Sequence, residues 1–282
     1  MYRILKKRTL SPNVKLMAVD APHVAKKALA GQFIMLRVDE TGERIPLTIA
    51  DYDRQTGAVT IIFQEVGKTT KLLGTLEEGD SLADFVGPLG VPSHFEGVKH
   101  AAVIGGGLGT AIAYPQAKAL KEHGAKVDMI VGFRNRELIM LEDEFAAASD
   151  RLYVATDDGS NGRKGFVSDV LRELLEAGET YDLVVAIGPV MMMKVVSDLT
   201  RPYGIRTVVS MNSIMVDGTG MCGCCRLTVG GETKFACVDG PDFDGHQVDF
   251  DEALRRGAMY RKEEAESLGR HVCRLTGEVR NA

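Results

Sequence analysis

The sequence predicts a β plus α/β chain: an N-terminal antiparallel β-barrel, then a doubly wound parallel-sheet domain, then a C-terminal cysteine loop. Three observations carry this. Residues 1–97 hold short apolar runs separated by turn formers such as Asn13, Gly31, Gly42, Gly57 and Gly79-Asp80, the spacing of a closed antiparallel barrel. From His100 onward the pattern changes to strand, glycine turn, helix, and then repeats, which implies a parallel sheet covered by helices on both faces. Four of the five cysteines then fall between Met215 and Cys237. The limits read this way are 1–97, 98–210, 211–245 and 246–282.

Composition sets the outer bounds. A chain of 282 residues with 45% hydrophobic and 26% charged residues fits about two ordinary globular domains. A net charge of −5 argues against nucleic-acid binding. No apolar run is long enough to span a bilayer, and the first residues show no export signal. Together with the clustered cysteines, this leads to the expectation of a reducing cytoplasm.

In chain order, strands are expected at 3–11, 14–20, 33–38, 45–51, 58–64 and 81–86. Arg44 stands just before the fourth, which contains Pro46, Leu47 and Thr48. That order offers a cation for a pyrophosphate and a small hydroxyl for the edge of a flavin ring, although in isolation an edge strand with a proline and a solvated arginine is the commoner explanation. Gly67, Thr69 and Thr70 then open a short helix, whose free N–H groups suit a phosphate; a threonine cap needs no ligand.

The strand at 101–104 runs into Gly105, Gly106, Gly107, Gly109 and Thr110 and a helix over 111–123. Glycines at such a turn let the backbone approach a pyrophosphate, although the spacing is not G-x-G-x-x-G. Further strands are expected at 126–132, 152–156, 183–187 and 206–210, and helices at 138–147, 167–175 and 191–200. Polar residues gather after the strands, at Arg134, Asp157 and Gly188-Pro189, where ligands of open α/β sheets bind. Met191, Met192 and Met193 read as helix core and interface, with the first able to abut a nicotinamide.

Cys222 and Cys225 are two residues apart in a glycine-rich loop, and four residues separate Asp217 from Cys222. Residues 226–236 alternate about Gly230-Gly231, the pattern of a hairpin that returns Cys237 beside the other two thiols. The spacing fits the C-x4-C-x2-C run of a [2Fe–2S] site with aspartate in the first position. A zinc site completed by His246, Cys224 in place of Asp217, and a structural disulfide are the competing readings. Residues 238–246 read as a turn-rich acidic loop that lacks the glutamate an EF-hand requires. Residues 251–274 have helical spacing, and Cys273 stands apart as a bystander.

The order of barrel with R-x-P-L-T, glycine-turn domain and cysteine loop resembles the ferredoxin–NADP reductase superfamily over essentially the whole chain. Within it, the chain is similar to the branch with a C-terminal [2Fe–2S] loop. That branch holds the electron-transfer subunits of dihydroorotate dehydrogenase B and the small subunits of NADH-dependent reduced ferredoxin:NADP oxidoreductases. The latter carry aspartate first, as at Asp217. The resemblance implies FAD on Arg44, Pro46, Leu47, Thr48, Gly67, Thr69 and Thr70. It implies NAD(H) on Gly105, Gly106, Gly107, Gly109 and Thr110, with Asp157, Gly188 and Pro189 near the nicotinamide half. The cluster ligands it implies are Asp217, Cys222, Cys225 and Cys237, with Cys224 a non-ligand neighbour.

The implied role is that of an oxidoreductase subunit moving electrons between NAD(H), FAD and the cluster, with no acid, base or nucleophile of its own. A larger subunit bearing a second FAD and [4Fe–4S] clusters, ferredoxin reached indirectly, and flavin-based electron bifurcation belong to the same implication. Alternatives are the dihydroorotate dehydrogenase subunit, the same module in a larger hydrogenase or dehydrogenase, and a zinc-stabilised docking subunit without redox turnover.

Overall fold

The barrel strands form where the sequence alternates. In the computed structural model, which describes residues 1–269, they are β1 (Tyr2–Ser11), β2 (Val14–Asp20), β3 (Phe33–Arg37), β4 (Ile45–Asp53), β5 (Ala58–Gln64), β6 (Ser81–Leu82) and β7 (Asp84–Leu89). Their order is β6-β1-β2-β5-β4-β3-β7, and every pair is antiparallel. Only Ala83 separates the two edge strands, so the chain itself nearly closes the barrel. Inward residues such as Ile4, Met17, Val19, Ile34, Leu36, Ile61 and Phe63 fill the interior. The single strand expected at 81–86 is therefore two strands. A six-residue helix not anticipated from sequence, α1 (Pro22–Lys27), plugs one end with Val24 and Ala25. Helix α2 (Lys68–Thr75) follows β5.

The second sheet is built from β8 (His100–Gly106), β9 (Lys126–Phe133), β10 (Arg151–Thr156), β11 (Leu183–Ile187) and β12 (Thr207–Ser210). They run parallel in the order β10-β9-β8-β11-β12. Residues of β8 alternate between two cores, as a strand buried on both faces must. Ala101 and Val103 pack with Ala113, Ala117 and Leu120 of α3 (Gly109–Glu122) and with Phe145 of α4 (Glu142–Ala147). Ala102 and Ile104 face Val170 and Leu171 of α5 (Val167–Glu176) and Met193 and Val196 of α6 (Val190–Thr200). The helix expected at 138–147 is shorter. The Asn135 side chain accepts the Leu138 N–H and caps the start of a single 3-10 turn, Arg136–Leu138; Ile139 is then extended, and Leu141 adopts φ 56° before α4 begins.

At the amino-terminal edge of this sheet, Asp128 is fully buried. Its carboxylate is held by both arms of Arg151, by Tyr181 Oη at 2.9 Å and by His100 Nε2 at 3.1 Å. Burial works to raise its pKa, but the Arg151 and Tyr181 hydrogen bonds prevail and hold it below the ordinary 3.8. A carboxyl depressed in the folded state contributes stability above its unfolded pKa and loses it as the pH falls toward the folded value. Asp128→Asn is expected to lose about 3 kcal/mol at pH 7, because Arg151 loses its buried carboxylate partner and keeps only Glu179. That deficit should narrow below pH 3.8, as urea melts at the two pH values would reveal; an equal deficit at both would contradict it.

The last segment is stitched to both domains. The hairpin β13 (Arg226–Val229) and β14 (Glu232–Phe235) pairs in register across Gly230-Gly231. Strand β15 (Asp242–Asp244) lies in the region that reads as a loop in sequence, and it pairs antiparallel with β12 to extend the parallel sheet. Helices α7 (Phe250–Gly257) and α8 (Arg261–Gly269) follow. Residues of the expected tail beyond 269, Cys273 among them, lie outside the described residues. Among the described residues, no helix is long and apolar enough to cross a membrane.

Candidate functional site

Three sets of residues make up the candidate site, one on the barrel, one on the parallel sheet and one on the hairpin segment. The first is on the barrel. Pro46, Leu47 and Thr48 pair with Met35, Ile34 and Phe33 across β3 and are half-buried. Arg44 is half-exposed and bound to Asp84 at 3.1 Å, and Arg37 grips the same carboxylate at 2.8 Å. Their hydrogen bonds, Arg37 foremost, hold Asp84 below the usual carboxylate range against its partial desolvation. The Thr70 hydroxyl accepts the Val66 and Gly67 N–H groups at 3.1 and 3.0 Å, which caps α2. Thr69 Oγ1 donates to Glu43 at 3.0 Å. An anionic oxygen thus already lies at the start of α2, where the helix dipole favours one, and Gly67 leaves the approach free of a side chain. These features fit a pyrophosphate. Glu43 and Asp84 could not be read from sequence, since they come from neighbouring strands and loops.

The second set is the glycine turn. A Cβ on Gly105 would lie 2.5 Å from the Thr110 Cα, one on Gly106 2.5 Å from Met192 Sδ, and one on Gly109 2.3 Å from the Ile187 carbonyl oxygen. These three glycines therefore serve the close packing of α3 and α6 on β8 and β11. Gly107, at φ +57°, has open space around it and is the exposed residue of the turn; it leaves a cradle that a phosphate could enter. Thr110 is fully buried and its hydroxyl donates to the Gly107 carbonyl at 2.8 Å, so it shapes the turn from behind. Gly188 and Pro189 follow β11 and lie against Gly106. Asp157 is exposed after β10 and its N–H donates to Phe133 at 3.0 Å. The order β10-β9-β8-β11 puts it on the opposite side of β8 from Gly188-Pro189. Arg134 is exposed after β9, Met191 is half-exposed, and Met193 is buried in the core.

The third set is the cysteine loop. Gly218, Gly220 and Gly223 all have positive φ, which turns successive N–H groups inward. Asp217 accepts N–H groups from Thr219, Met221 and Cys222 at 3.0–3.1 Å, with the Cys222 Sγ at 3.3 Å. These donors, the Thr219 N–H first, hold its carboxyl at about 2. Cys225 and Cys237 are buried with their sulfurs 3.3 Å apart. Burial, then the neighbouring Cys225 thiol, pushes Cys237 up to about 12. The Gly220 N–H is directed at the Cys237 sulfur.

The predicted ligands therefore stand as two pairs, Asp217 with Cys222 and Cys225 with Cys237. Among the described residues, the one grouping of three ligand atoms within 4.8 Å of one another is His100, Asp128 and Glu179, and Arg151 already supplies its positive charge. Two pairs suit two irons better than a single tetrahedral ion. His246 is committed elsewhere, 3.0 Å from Thr200 Oγ1 on α6. Cys224 is half-buried, and the Cys222 thiol beside it raises its pKa. Binding a metal would release the protons of these thiols.

Comparisons with known proteins agree with this layout. Residues 1–94 match an oxidoreductase FAD-binding domain and residues 103–198 an oxidoreductase NAD-binding domain. Residues 212–249 match the iron–sulfur cluster binding domain of dihydroorotate dehydrogenase B. A Thermotoga maritima homolog of the dihydroorotate dehydrogenase B (NAD(+)) electron transfer subunit is 46% identical over 272 residues, 96% of each chain. The chain belongs to the family of dihydroorotate dehydrogenase B electron-transfer subunits and their homologues. Another relative, an uncharacterized protein of the adh 3′ region of Clostridium beijerinckii, is 55% identical over 95% of this chain and 93% of its own. A chain in the structure of an NADH-dependent reduced ferredoxin-NADP oxidoreductase, studied for flavin-based electron bifurcation, superposes with a TM-score of 0.91. It is 44% identical over 96% of this chain and 97% of its own. As an electron-transfer-subunit homologue, the chain carries FAD-, NAD- and iron–sulfur-binding domains of an oxidoreductase.

Proposed function

We propose that the chain is the small, electron-transferring subunit of a flavin-based bifurcating NADH-dependent reduced ferredoxin:NADP oxidoreductase. The observation that carries the reading is the pairing of Asp217 with Cys222 and of Cys225 with Cys237, on a segment joined to both other domains. When bound, the nicotinamide, flavin and [2Fe–2S] cluster supply the hydride and single-electron chemistry. The residues do the rest. Residues 1–97 hold FAD, with Arg44, Thr69 and the start of α2 facing the pyrophosphate and Pro46, Leu47 and Thr48 along the ring. Glu43 and Asp84 give up Thr69 and Arg44 to the incoming anion.

Residues 98–210 hold NAD(H). Gly107 admits the pyrophosphate, Gly105, Gly106, Gly109 and Thr110 set the turn, and Gly188 and Pro189 border the nicotinamide, with Asp157 across β8 from them. Residues 211–245 grip the cluster through the four ligands, with the loop N–H groups turned toward it and Cys224 outside the ligand set. A larger subunit with its own flavin and [4Fe–4S] clusters, through which ferredoxin is reached, completes the complex in the cytoplasm.

The relatives named for dihydroorotate dehydrogenase B favour a second reading, in which the partner is that dehydrogenase. Anaerobic purification of the native complex tests both. Flavin and cluster absorbance that bleach with NADH, together with a partner rich in [4Fe–4S] iron, support the first reading. A dihydroorotate-oxidising partner supports the second, and a colourless zinc-bound chain would defeat both.

A further inference from the structure

Asp242 lies on β15, five residues after Cys237, at the junction of all three parts of the molecule. Its Oδ2 accepts Ser93 Oγ at 2.6 Å, from the linker between barrel and parallel sheet, and Gln116 Nε2 at 2.9 Å, from α3. The barrel closes over this point: a Cβ on Gly31 would lie 2.1 Å from Ser93 Oγ and 3.2 Å from Asp242 Oδ2. Backbone bonds on either side, Val91 N to Gly240 O at 2.7 Å and Met211 N to Pro241 O at 2.9 Å, hold the same seam.

Stability alone does not account for a carboxyl here. Asp242 Oδ1 and Gln116 Oε1 are both buried without a partner, and such orphans cost free energy. Both residues line a cavity of about 230 Å³ with Ser93, His94, Arg206 and Phe243. Burial pushes the Asp242 carboxyl up from its ordinary value, the direction that favours a neutral acid, which is both donor and acceptor. An apolar residue would hold β15 on β12 by its backbone without these costs. What the apolar residue cannot do is tie three elements to one atom.

We propose that Asp242 is a positioning residue that fixes the distance between the flavin domain and the cluster segment, by tying the strand that follows Cys237 to the interdomain linker and to α3. This rests on the reading of the chain as a flavin-to-cluster electron carrier. The variants are Asp242→Ala, Asp242→Asn and Ser93→Ala, each studied in the intact, cofactor-loaded complex. Stopped-flow absorbance reads flavin reduction by NADH, and freeze-quenched paramagnetic resonance reads cluster reduction.

Asp242→Ala is expected to keep its flavin, iron and rate of flavin reduction while cluster reduction slows on the order of tenfold, since small misplacements cost large factors in rate. Ser93→Ala slows the same step less. Asp242→Asn restores it, because an amide reproduces the donor and acceptor of a neutral acid. Cluster reduction at the wild-type rate in Asp242→Ala, or an asparagine variant no better than alanine, overturns the proposal. Should Asp242→Ala not fold, an unchanged rate in Ser93→Ala overturns it equally. A wild-type complex whose flavin NADH does not reduce would instead defeat the underlying reading, before any variant is compared.

Discussion

Replacing Cys225 with alanine is expected to reduce iron and acid-labile sulfide to background while leaving the bound flavin in place. Cys225 is buried, and its sulfur is 3.3 Å from that of Cys237, so its loss strips one pair of half its donors. The flavin survives because the barrel has its own core, from Ile4 to Phe85, with no residue of the cysteine loop in it. Cys224→Ala is the control, and it should retain the cluster if the ligand set is Asp217, Cys222, Cys225 and Cys237.

Asp217→Ala separates two roles of that carboxylate. It removes a ligand and also the acceptor of the Thr219, Met221 and Cys222 N–H groups, whereas Asp217→Cys restores a ligand while losing those bonds. Cluster content equal to wild type in Cys225→Ala, or loss of the cluster in Cys224→Ala, would break the assignment.

Much of this organisation is legible in the sequence, and the exceptions share a cause. Strands β1, β2 and β5 were readable because apolar residues alternate along them between turn formers, and the α/β units because each carries its own helix period. The cysteine spacing could single out the candidate ligands because the hairpin that returns Cys237 is itself local. What was not legible depends on distant partners. Strand β15 sits in Gly240-Pro241-Asp242-Phe243-Asp244-Gly245, whose composition is that of a turn, and it becomes a strand by pairing with β12. Helix α1 is too short to show a period. The helix expected at 138–147 begins only at Glu142, because Ile139 is extended and Leu141 is left-handed. In the site, Arg44 and Thr69 could be picked out, but their partners Asp84 and Glu43 are neighbours only once the barrel has closed. Thr110 shows the opposite case: the residue was found, and its hydroxyl faces the turn rather than open space.

Gly109→Ala is expected to be the most damaging single-methyl change in the NAD-binding domain. The new Cβ would stand 2.3 Å from the Ile187 carbonyl oxygen and 2.7 Å from the Gly188 Cα. Both are backbone atoms at the end of β11, hydrogen-bonded between β8 and β12, so no side chain can rotate away. Either α3 lifts from the sheet or β11 shifts, and overpacking of this kind costs about 1–3 kcal/mol. Lifting α3 also moves the turn at Gly107, so NADH affinity falls together with stability. Gly107→Ala supplies the contrast. Its φ of +57° strains an alanine, but its Cβ would meet nothing within 4 Å, and the backbone penalty alone is about 1 kcal/mol. Thermal melts and NADH titrations of the two variants are expected to rank Gly109→Ala below Gly107→Ala in stability, with weakened NADH binding in both. A Gly109→Ala protein that melts with the wild type would mean that α3 and β11 do not meet as closely as these distances require.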